Sequence, residues 1–289
     1  MIQNSFDNSN SFYIVPTPIG NLDDITIRAL NVLKNSDIIL CEDTRTSSIL
    51  LKHFNIKKKL ISCHEYNEKT IVDKILYFLN NGFSLALITD QGTPIISDPG
   101  FFVVKDVVKA GYNVISLPGA TAFVPALTSS GIAPSPFLFY GFLNSKKSKR
   151  LSELRELKNL PYTIIFYESV HRILDTLSDL LNVFGDRDIS LSREISKLHE
   201  QIFRGKISEI LNQLSDLKGE FVIVVSGNEN VFNFGSLDVV EHVNLYISDG
   251  LSVNDSIKRV ARERNVAKSI IYSEYHNRKW FYEINCWFR

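Results

Sequence analysis

Short apolar runs alternate with segments whose apolar residues recur at helical spacing through the first part of the chain. Runs of this kind predict strands that are covered on both faces, as in a parallel sheet. The predicted strands are 12–17, 37–41, a short one ending near 62, 85–88 and 113–117, and the predicted helices are 25–33, 46–54, 71–79 and 101–109. Strands that alternate with helices indicate an α/β protein with a mainly parallel sheet and helices on its faces.

A second unit follows the glycine and proline cluster between Gly131 and Pro136. Its predicted strands are 137–142, 162–167, 189–194 and 221–225, with a helix at 170–184. These elements indicate a second, mixed sheet. After Gly227 the composition changes, and residues 239–287 predict a small, helical, basic-leaning module. The predicted division is a polar tail (1–11), an N-terminal α/β domain (12–128), a C-terminal α/β domain (129–227) and the helical module (228–289).

The composition is typical of a soluble globular protein. The 289 residues, 44% hydrophobic and 22% charged, suit two α/β domains better than one. Lysine plus arginine and aspartate plus glutamate number 32 each, so only a local basic patch can attract nucleic acid. The first residues lack the features of a signal peptide, and no apolar run is long enough to cross a bilayer.

The cysteines are odd in number and widely spaced, at Cys41, Cys63 and Cys286. This pattern favours reduced thiols in the cytoplasm over a disulfide framework or a zinc site. We expect Cys41 to fill the core.

Glycine- and proline-rich loops follow three of the apolar strands, at 15–21, 89–100 and 117–122. In an open α/β sheet, ligands bind where the carboxyl ends of the strands meet. An isolated loop of this composition is usually an ordinary rigid turn, but three at strand ends favour the walls of one site. Fingerprints of other ligand and catalytic sites (GxGxxG, GxxxxGK[ST], HExxH, paired cysteines, GxSxG) are absent, so we expect no metal and a ligand held by backbone contacts and shape.

An ordered series of motifs runs through the same regions. It comprises VPTPIGNL (15–22), EDTR (42–45), SCHEYNE (62–68), DQGTP (90–94), ISDPG (96–100), FYES (166–169) with His171 and Arg172, and KLHE (197–200). With this series the chain resembles the tetrapyrrole methylase superfamily. Within it, the chain resembles the branch that methylates a cytidine 2′-hydroxyl of 16S ribosomal RNA. The resemblance covers residues 12–227, and the C-terminal module looks like the helical tail of that branch.

The resemblance implies a two-domain α/β methyltransferase that holds S-adenosyl-L-methionine in the cleft between its domains and forms a homodimer. This chain departs from the pattern of the family at three positions. A small residue is usual in place of Gln91, and proline is usual in place of Ala120 and common in place of Val170. The residues predicted to bind the cofactor are Pro18, Gly20, Asp90, Gly92, Thr93, Pro94, Ile95, Ile96, Asp98, Thr121, Ala122 and Tyr167.

Methyl transfer from a sulfonium is an in-line displacement that depends mainly on alignment, and a ribose hydroxyl benefits from a general base. The predicted catalytic residues are Glu42, Asp43, Arg45, His64, Glu65, Glu168 and Arg172. Some have structural alternatives. Asp43 or Thr44 could cap the following helix, and the pair at 64–65 could face solvent. Arg172 stands early in its helix, where a cation is unfavourable, which favours a ligand contact. His199 and Glu200 are expected to be a structural pair.

Two basic clusters are predicted to contact RNA. The first comprises Lys146, Lys147, Lys149 and Arg150, and the second comprises Lys258, Arg259 and Arg262. The first could equally be a solvated helix start. The second is accompanied by aromatic residues, which suits unstacked bases but also a helical core with a charged outer face. The expected partner is 16S ribosomal RNA within the small ribosomal subunit. C-methylation of a tetrapyrrole precursor and non-catalytic RNA binding remain as alternatives.

Overall fold

The computed structural model describes residues 3, 5, 10–215, 218–228, 238–264 and 266–286, with side chains as far as residue 277. The chain divides into two compact units. The first contains residues up to 158 and from 162 to 227, and the second contains residues 159–161 and those from 228 onward. The predicted division at residue 128 lies inside the first unit and stays a prediction. In the described part of the chain, no helix is both long and apolar enough to cross a membrane.

The first unit begins with a five-stranded parallel sheet in the order β3-β2-β4-β1-β5. Its strands are β1 (Ser11–Ile14), β2 (Ile38–Cys41), β3 (Lys59–Ser62), β4 (Leu85–Ile88) and β5 (Asn113–Ser116). Helices α1 (Ile27–Asn35), α2 (Thr44–His53), α3 (Val72–Asn80) and α4 (Phe101–Lys109) alternate with them, as predicted. Because the strands are parallel, the loops after their carboxyl ends lie along one edge of the sheet.

Both faces of this sheet are covered. One face packs Leu40 and Leu87 against Ile75 of α3 and Val103 of α4. The other face packs Ile39, Cys41, Ala86 and Ile88 against apolar residues of α1 and α2. Alternate residues of each central strand therefore enter different cores, which explains why these strands are continuous apolar runs. Cys41 is fully buried, as predicted.

A second five-stranded sheet, in the order β6-β7-β10-β8-β9, completes the first unit. Its strands are β6 (Phe137–Phe142), β7 (Thr163–Ser169), β8 (Asp188–Arg193), β9 (Gln201–Lys206) and β10 (Glu220–Val225). The helices of this part are α5 (Phe123–Ser129), α6 (Lys147–Leu157), α7 (Ile173–Phe184) and α8 (Ile207–Gln213). The β6–β7 pair is parallel and the other pairs are antiparallel, so the sheet is mixed, as predicted.

Some of these elements were not predicted. Strand β9 lies at the edge of the sheet and is interrupted by Arg204 and Gly205, so it lacks a continuous apolar run. The α5 helix contains Pro125, and α8 spans only 7 residues, which leaves little helical periodicity to detect.

The second unit contains three packed helices, α9 (Val239–Ser248), α10 (Val253–Glu263) and α11 (Lys268–Cys286). Each helix contributes to one core, in which Val243, Ile257 and Tyr275 are buried. The α10 helix begins with a capped turn, since the Ser252 hydroxyl accepts a hydrogen bond from the Asp255 N–H at 3.2 Å. A small helical module is therefore confirmed for the described residues.

A buried polar network joins α9 to the end of α10. The Tyr246 hydroxyl lies 2.7 Å from Glu263 Oε1, and His242 Nε2 lies 3.0 Å from Glu263 Oε2. Arg264 Nε donates to His242 Nδ1 at 3.1 Å, so Nε2 must carry the proton that reaches Glu263. Burial lowers the pKa of His242, in agreement with a neutral ring.

Candidate functional site

A cavity of about 480 Å³ lies between the loops of the first sheet and residues of the second. The first part contributes Ile19, Asp90, Gln91, Gly92, Thr93, Ile96, Ser97, Asp98, Thr121 and Ala122. The second contributes Phe142, Tyr167, Glu168, Ser169, Ile195, Glu220, Phe221 and Val222. The three glycine- and proline-rich loops therefore border one cavity, as their positions at strand ends predicted.

Hydrogen bonds tie these loops to one another. Thr17 and Gly92 exchange backbone hydrogen bonds of 2.9 and 3.0 Å, and the buried Thr17 hydroxyl donates to the Thr89 carbonyl at 3.0 Å. The Thr93 hydroxyl donates to the Ala120 carbonyl at 2.9 Å, which joins the second loop to the third. These hydrogen bonds join the three loops into one continuous wall of the cavity.

The backbone of the central loop is strained. Ile95 and Ser97 have φ of +77° and +68°, a region that residues other than glycine rarely enter and that a β-branched residue such as Ile95 enters least readily. The loop is held at its far end by Glu68, whose buried Oε2 accepts a hydrogen bond from the Gly100 N–H at 2.9 Å. Asn67 forms the turn before Glu68 by bonding to the His64 N–H and the Ser62 carbonyl. The SCHEYNE motif thus holds the cavity loop in place at Gly100, through Glu68.

Carboxyl groups give the cavity an acceptor-rich side. Asp98 Oδ1 lies 3.0 Å from the Thr89 hydroxyl, and Glu42 Oε2 lies 3.4 Å from the same hydroxyl. Burial, together with the charges of Glu42 and Asp90 and against the hydrogen bond from Thr89, raises the pKa of Asp98 to about 6. Burial also raises the pKa of Asp90, against hydrogen bonds from the Asp43 N–H and Thr46. Asp90 Oδ1 is buried with no hydrogen-bond partner among the described residues.

Most residues predicted to bind the cofactor border this cavity, namely Asp90, Gly92, Thr93, Ile96, Asp98, Thr121, Ala122 and Tyr167. Pro18, Gly20, Pro94 and Ile95 are adjacent to lining residues in the chain but do not line the cavity themselves. The wall formed by Phe142, Ile195 and Glu220 to Val222 was not predicted. Those residues resemble any other strand or loop residues, and the sequence carries no signal for their position beside the loops.

The loop after β8 closes one side of the site. The stem of Lys197 covers Gly20 so closely that a β-carbon there would clash with Lys197 Cγ, and Ser196 hydrogen-bonds to Asp24. Lys197 Nζ bonds to Glu194 and Glu220 at 2.9 Å each. The KLHE segment therefore joins the second sheet to the first loop of the first sheet.

Glu168 is the member of the predicted catalytic set that borders the cavity. Its buried carboxylate accepts hydrogen bonds from Arg172, from the Thr176 hydroxyl at 2.6 Å and from the Ser169 N–H at 2.8 Å. Arg172 also donates to the Leu143 carbonyl at 2.9 Å. These partners account for an arginine at the start of α7 without a ligand, and a ligand contact by Arg172 stays a prediction.

The EDTR motif forms the start of α2. Asp43 caps the helix, because its Oδ1 accepts a hydrogen bond from the Arg45 N–H at 2.8 Å, which confirms the capping alternative. Arg45 Nη2 lies 2.6 Å from Asp43 Oδ2, and this contact lowers the pKa of Asp43 to about 2. The Arg45 side chain is 89% exposed and feels the charge of the cavity residue Asp90. It is therefore an accessible cation on the Asp90 side of the cavity.

His64 and Glu65 lie in different environments. Glu65 is exposed, as the solvent-facing alternative expects. His64 Nδ1 is buried and has no hydrogen-bond partner among the described residues. Neither residue lines the cavity, and their catalytic roles stay predictions.

The first basic cluster lies at the start of α6, and its residues differ in exposure. Lys146, Lys147 and Lys149 are exposed, whereas Arg150 is buried. The Arg150 guanidinium bonds to Asp179 of α7 at 2.8 Å through Nε and 2.7 Å through Nη2. The prediction that Arg150 contacts RNA is therefore wrong, because its charge is directed into the protein interior.

The second basic cluster lies on the helical unit. Arg259 bonds to Glu263 at 3.2 Å and lies over the Tyr246 ring, 4.6 Å from its centroid. Lys258 and Arg262 border a groove of about 370 Å³ with Lys268. Contacts of this cluster with RNA stay predictions, and Arg259 is the member most engaged within the protein.

The chain is similar to known methyltransferases. Residues 11–211 match the tetrapyrrole (corrin/porphyrin) methylases. The chain is 45% identical over 272 residues to ribosomal RNA small subunit methyltransferase I of Bacillus subtilis (strain 168), which covers 91% of this chain and 93% of that protein. It is 43% identical over 278 residues to the protein of the same name from Halalkalibacterium halodurans, with 93% and 96% covered.

Solved structures share the fold at lower identity. Uroporphyrin-III C-methyltransferase from Thermus thermophilus, complexed with S-adenyl homocysteine, aligns with a TM-score of 0.54 and 19% identity, over 77% of this chain and 100% of that chain. The methyltransferase CobJ aligns with a TM-score of 0.57 and 16% identity, over 76% and 95%.

Proposed function

The chain belongs to the tetrapyrrole methylase family, and we propose that it methylates the 2′-hydroxyl of a cytidine in 16S ribosomal RNA with S-adenosylmethionine as donor. The observation that carries this proposal is the extent of the similarity. It covers 91% and 93% of this chain in the two relatives, so it continues past residue 211, where the family match ends. The proposed setting is the small ribosomal subunit in the cytoplasm, with the enzyme acting as a homodimer.

The cavity fits the proposed donor. Its volume of about 480 Å³ lies within the range of small-molecule sites. The carboxyl groups of Asp90 and Asp98 on its wall suit a ligand that carries a positive sulfonium and ribose hydroxyls. Gly92, Thr121 and Ala122, which belong to two different loops, also line the cavity. When bound, S-adenosylmethionine supplies an electrophilic methyl group, and the chain needs only to align the acceptor hydroxyl and receive its proton.

The carboxyl groups that line the cavity differ in how many hydrogen bonds they already accept, which bears on which of them receives that proton. Glu168 is occupied by hydrogen bonds from Arg172, Thr176 and Ser169, and Glu220 is paired with Lys197. Asp98 and Asp90 are bonded to fewer groups. We propose Asp98 as the general base, because it lines the cavity, the Thr89 hydroxyl holds its Oδ1 at 3.0 Å, and burial raises its pKa to about 6.

Exposed cations near this part of the chain supply the attraction for RNA. Lys146, Lys147 and Lys149 begin α6, a few residues after the cavity residue Phe142, and Arg45 stands on the Asp90 side. Since the formal net charge of the chain is zero, binding must depend on such local groups. RNA affinity is therefore expected to fall steeply with salt.

The test uses radiolabelled S-adenosylmethionine with three substrates: 30S subunits from cells that lack the enzyme, protein-free 16S ribosomal RNA, and uroporphyrinogen III. Label on one ribose 2′-oxygen of the RNA, mapped by nuclease digestion, is the expected result. Label in the tetrapyrrole alone, or intact cofactor binding with no labelled RNA, would contradict the proposal. The first two substrates distinguish an assembled subunit from free RNA.

A further inference from the structure

The edge strand β6 contains a β-bulge beside the cavity. Phe139 pairs with Ile165 of β7, but Gly141 pairs with the next residue, Phe166, so one residue of β6 has no counterpart. The bulge depends on Gly141, whose φ is +82°, and a β-carbon there would lie 3.2 Å from the hydroxyl of the cavity residue Ser97. The bulge therefore also permits close contact between the two parts of the cavity wall.

This bulge sets the direction of Phe142. In an uninterrupted strand, side chains three residues apart point to opposite faces. Here Phe139 and Phe142 pair with Ile165 and Tyr167, which are two residues apart and share a face. The ring of Tyr167 accordingly contacts both, with centroid distances of 5.0 Å to Phe139 and 5.6 Å to Phe142. Bulges next to functional sites often redirect a side chain in this way.

The redirected ring is open to a ligand. Phe142 borders the cavity and is 54% exposed, although Tyr167 holds it by an edge contact at 66°. An exposed aromatic ring at the border of a cavity suits a planar ligand, since ring stacking is favourable.

The surroundings indicate which planar ligand. Phe142 lies on an edge strand, and the exposed Lys146, Lys147 and Lys149 follow it within a few residues. An aromatic ring beside cations is the pattern that binds an unstacked nucleotide, with its base on the ring and its phosphates on the lysines. A half-exposed ring at the border of the cavity also suits a base that arrives from solution.

We propose that Phe142 is the platform on which the pyrimidine base of the target nucleotide stacks when its ribose enters the cavity. This inference rests on the proposed function, because it assumes an RNA substrate. It makes Phe142 a substrate-binding residue that contacts the base rather than the methyl donor.

The test compares Phe142→Ala, Phe142→Leu and Phe142→Trp in steady-state methylation of 30S subunits and in calorimetric titration with S-adenosylmethionine. Stacking on an aromatic side chain contributes enough that its loss should raise KM for RNA by about fivefold or more. We expect this rise for the alanine and leucine variants, cofactor Kd within about twofold of wild type, and near-normal KM for tryptophan. Leucine separates stacking from apolar volume. Phe137→Ala is the matched control, because Phe137 is 44% exposed on the same strand and does not line the cavity.

Several outcomes would overturn the inference. A leucine variant with wild-type KM would show that no flat ring is needed. Weakened cofactor binding with unchanged KM for RNA would assign the ring to the methyl donor. If the wild-type protein methylates RNA, either of these results contradicts only the role of Phe142 and leaves the proposed function unaffected. If the wild-type protein labels no RNA, the proposed function and the role of Phe142 are both contradicted.

Discussion

The carboxylate of Glu168 accepts two hydrogen bonds from the guanidinium of Arg172, each 2.9 Å long, and is itself fully buried. The same guanidinium reaches the Leu143 carbonyl, so one side chain connects the end of β6 to the end of β7. Phe142 and Tyr167 stand next to these anchor points in the chain. The pair therefore holds the part of the cavity wall that the second sheet contributes.

Arg172→Ala should destabilise the protein by about 3–5 kcal/mol, because it leaves the buried Glu168 charge without its partner. Urea unfolding measures this, and Arg172→Ala/Glu168→Gln should recover part of the loss. An exposed arginine replaced in the same way, as in Arg45→Ala, should change stability by less than about 1 kcal/mol. A stable but inactive Arg172→Ala variant would instead indicate direct substrate contact.

Arg45→Ala should impair RNA use rather than cofactor binding. The Arg45 side chain is exposed beside the cavity, and its loss removes one charge-assisted contact, so KM for RNA should rise by about tenfold. Cofactor Kd measured by calorimetry should stay unchanged. Full activity at physiological salt would exclude Arg45 from substrate binding.

A bulky side chain in the third loop, at 117–122, should weaken binding of the cofactor. Thr121 lines the cavity, so Thr121→Phe should weaken S-adenosylmethionine binding by at least about tenfold through overpacking. Thr128→Phe is the matched control, because Thr128 is exposed on α5 and does not line the cavity. Calorimetry decides the matter, and equal binding by the two variants would refute the site.

The methylation rate should depend on the ionisation of Asp98. A general base must be deprotonated, so the rate should fall as the pH drops through about 6, the value to which burial raises this pKa. Asp98→Asn should lose about 100-fold or more in kcat and lose this pH dependence. Retention of the same profile in the variant would assign the titration to another group.

The raised pKa of Asp98 also predicts that the free energy of unfolding changes with pH in the opposite direction to the methylation rate. The folded pKa of about 6 lies above the ordinary 3.8, so Asp98 favours folding below about pH 4, and that contribution is lost as the pH rises through 6. Asp98→Asn should therefore be at least as stable as wild type at pH 8. Thermal unfolding at pH 4 and pH 8 checks this, and a less stable variant at pH 8 would contradict burial as the cause of the raised pKa.

The sequence predicted the tetrapyrrole methylase fold with its two sheets and the loops of the first sheet well, because buried parallel strands and glycine- and proline-rich turns have distinct local patterns. It could not predict which residues of the second sheet meet those loops. Phe142 shows why, since its direction depends on a register shift that only strand pairing reveals. Arg150 shows the same limit on a helix, where one member of a basic run turns inward to Asp179 on α7.

The bulge in β6 also determines which changes in chain length the site tolerates. Removal of Tyr140 would let β6 pair regularly with β7, with Gly141 still opposite Phe166 and Phe142 still opposite Tyr167. Phe139 and Phe142 would then be two positions apart, so the Phe142 ring would stay on the same face of the sheet. A homologous chain shorter by one residue at this point would therefore keep this aromatic wall, whereas one residue inserted directly after Gly141 would direct the ring to the far side of the sheet.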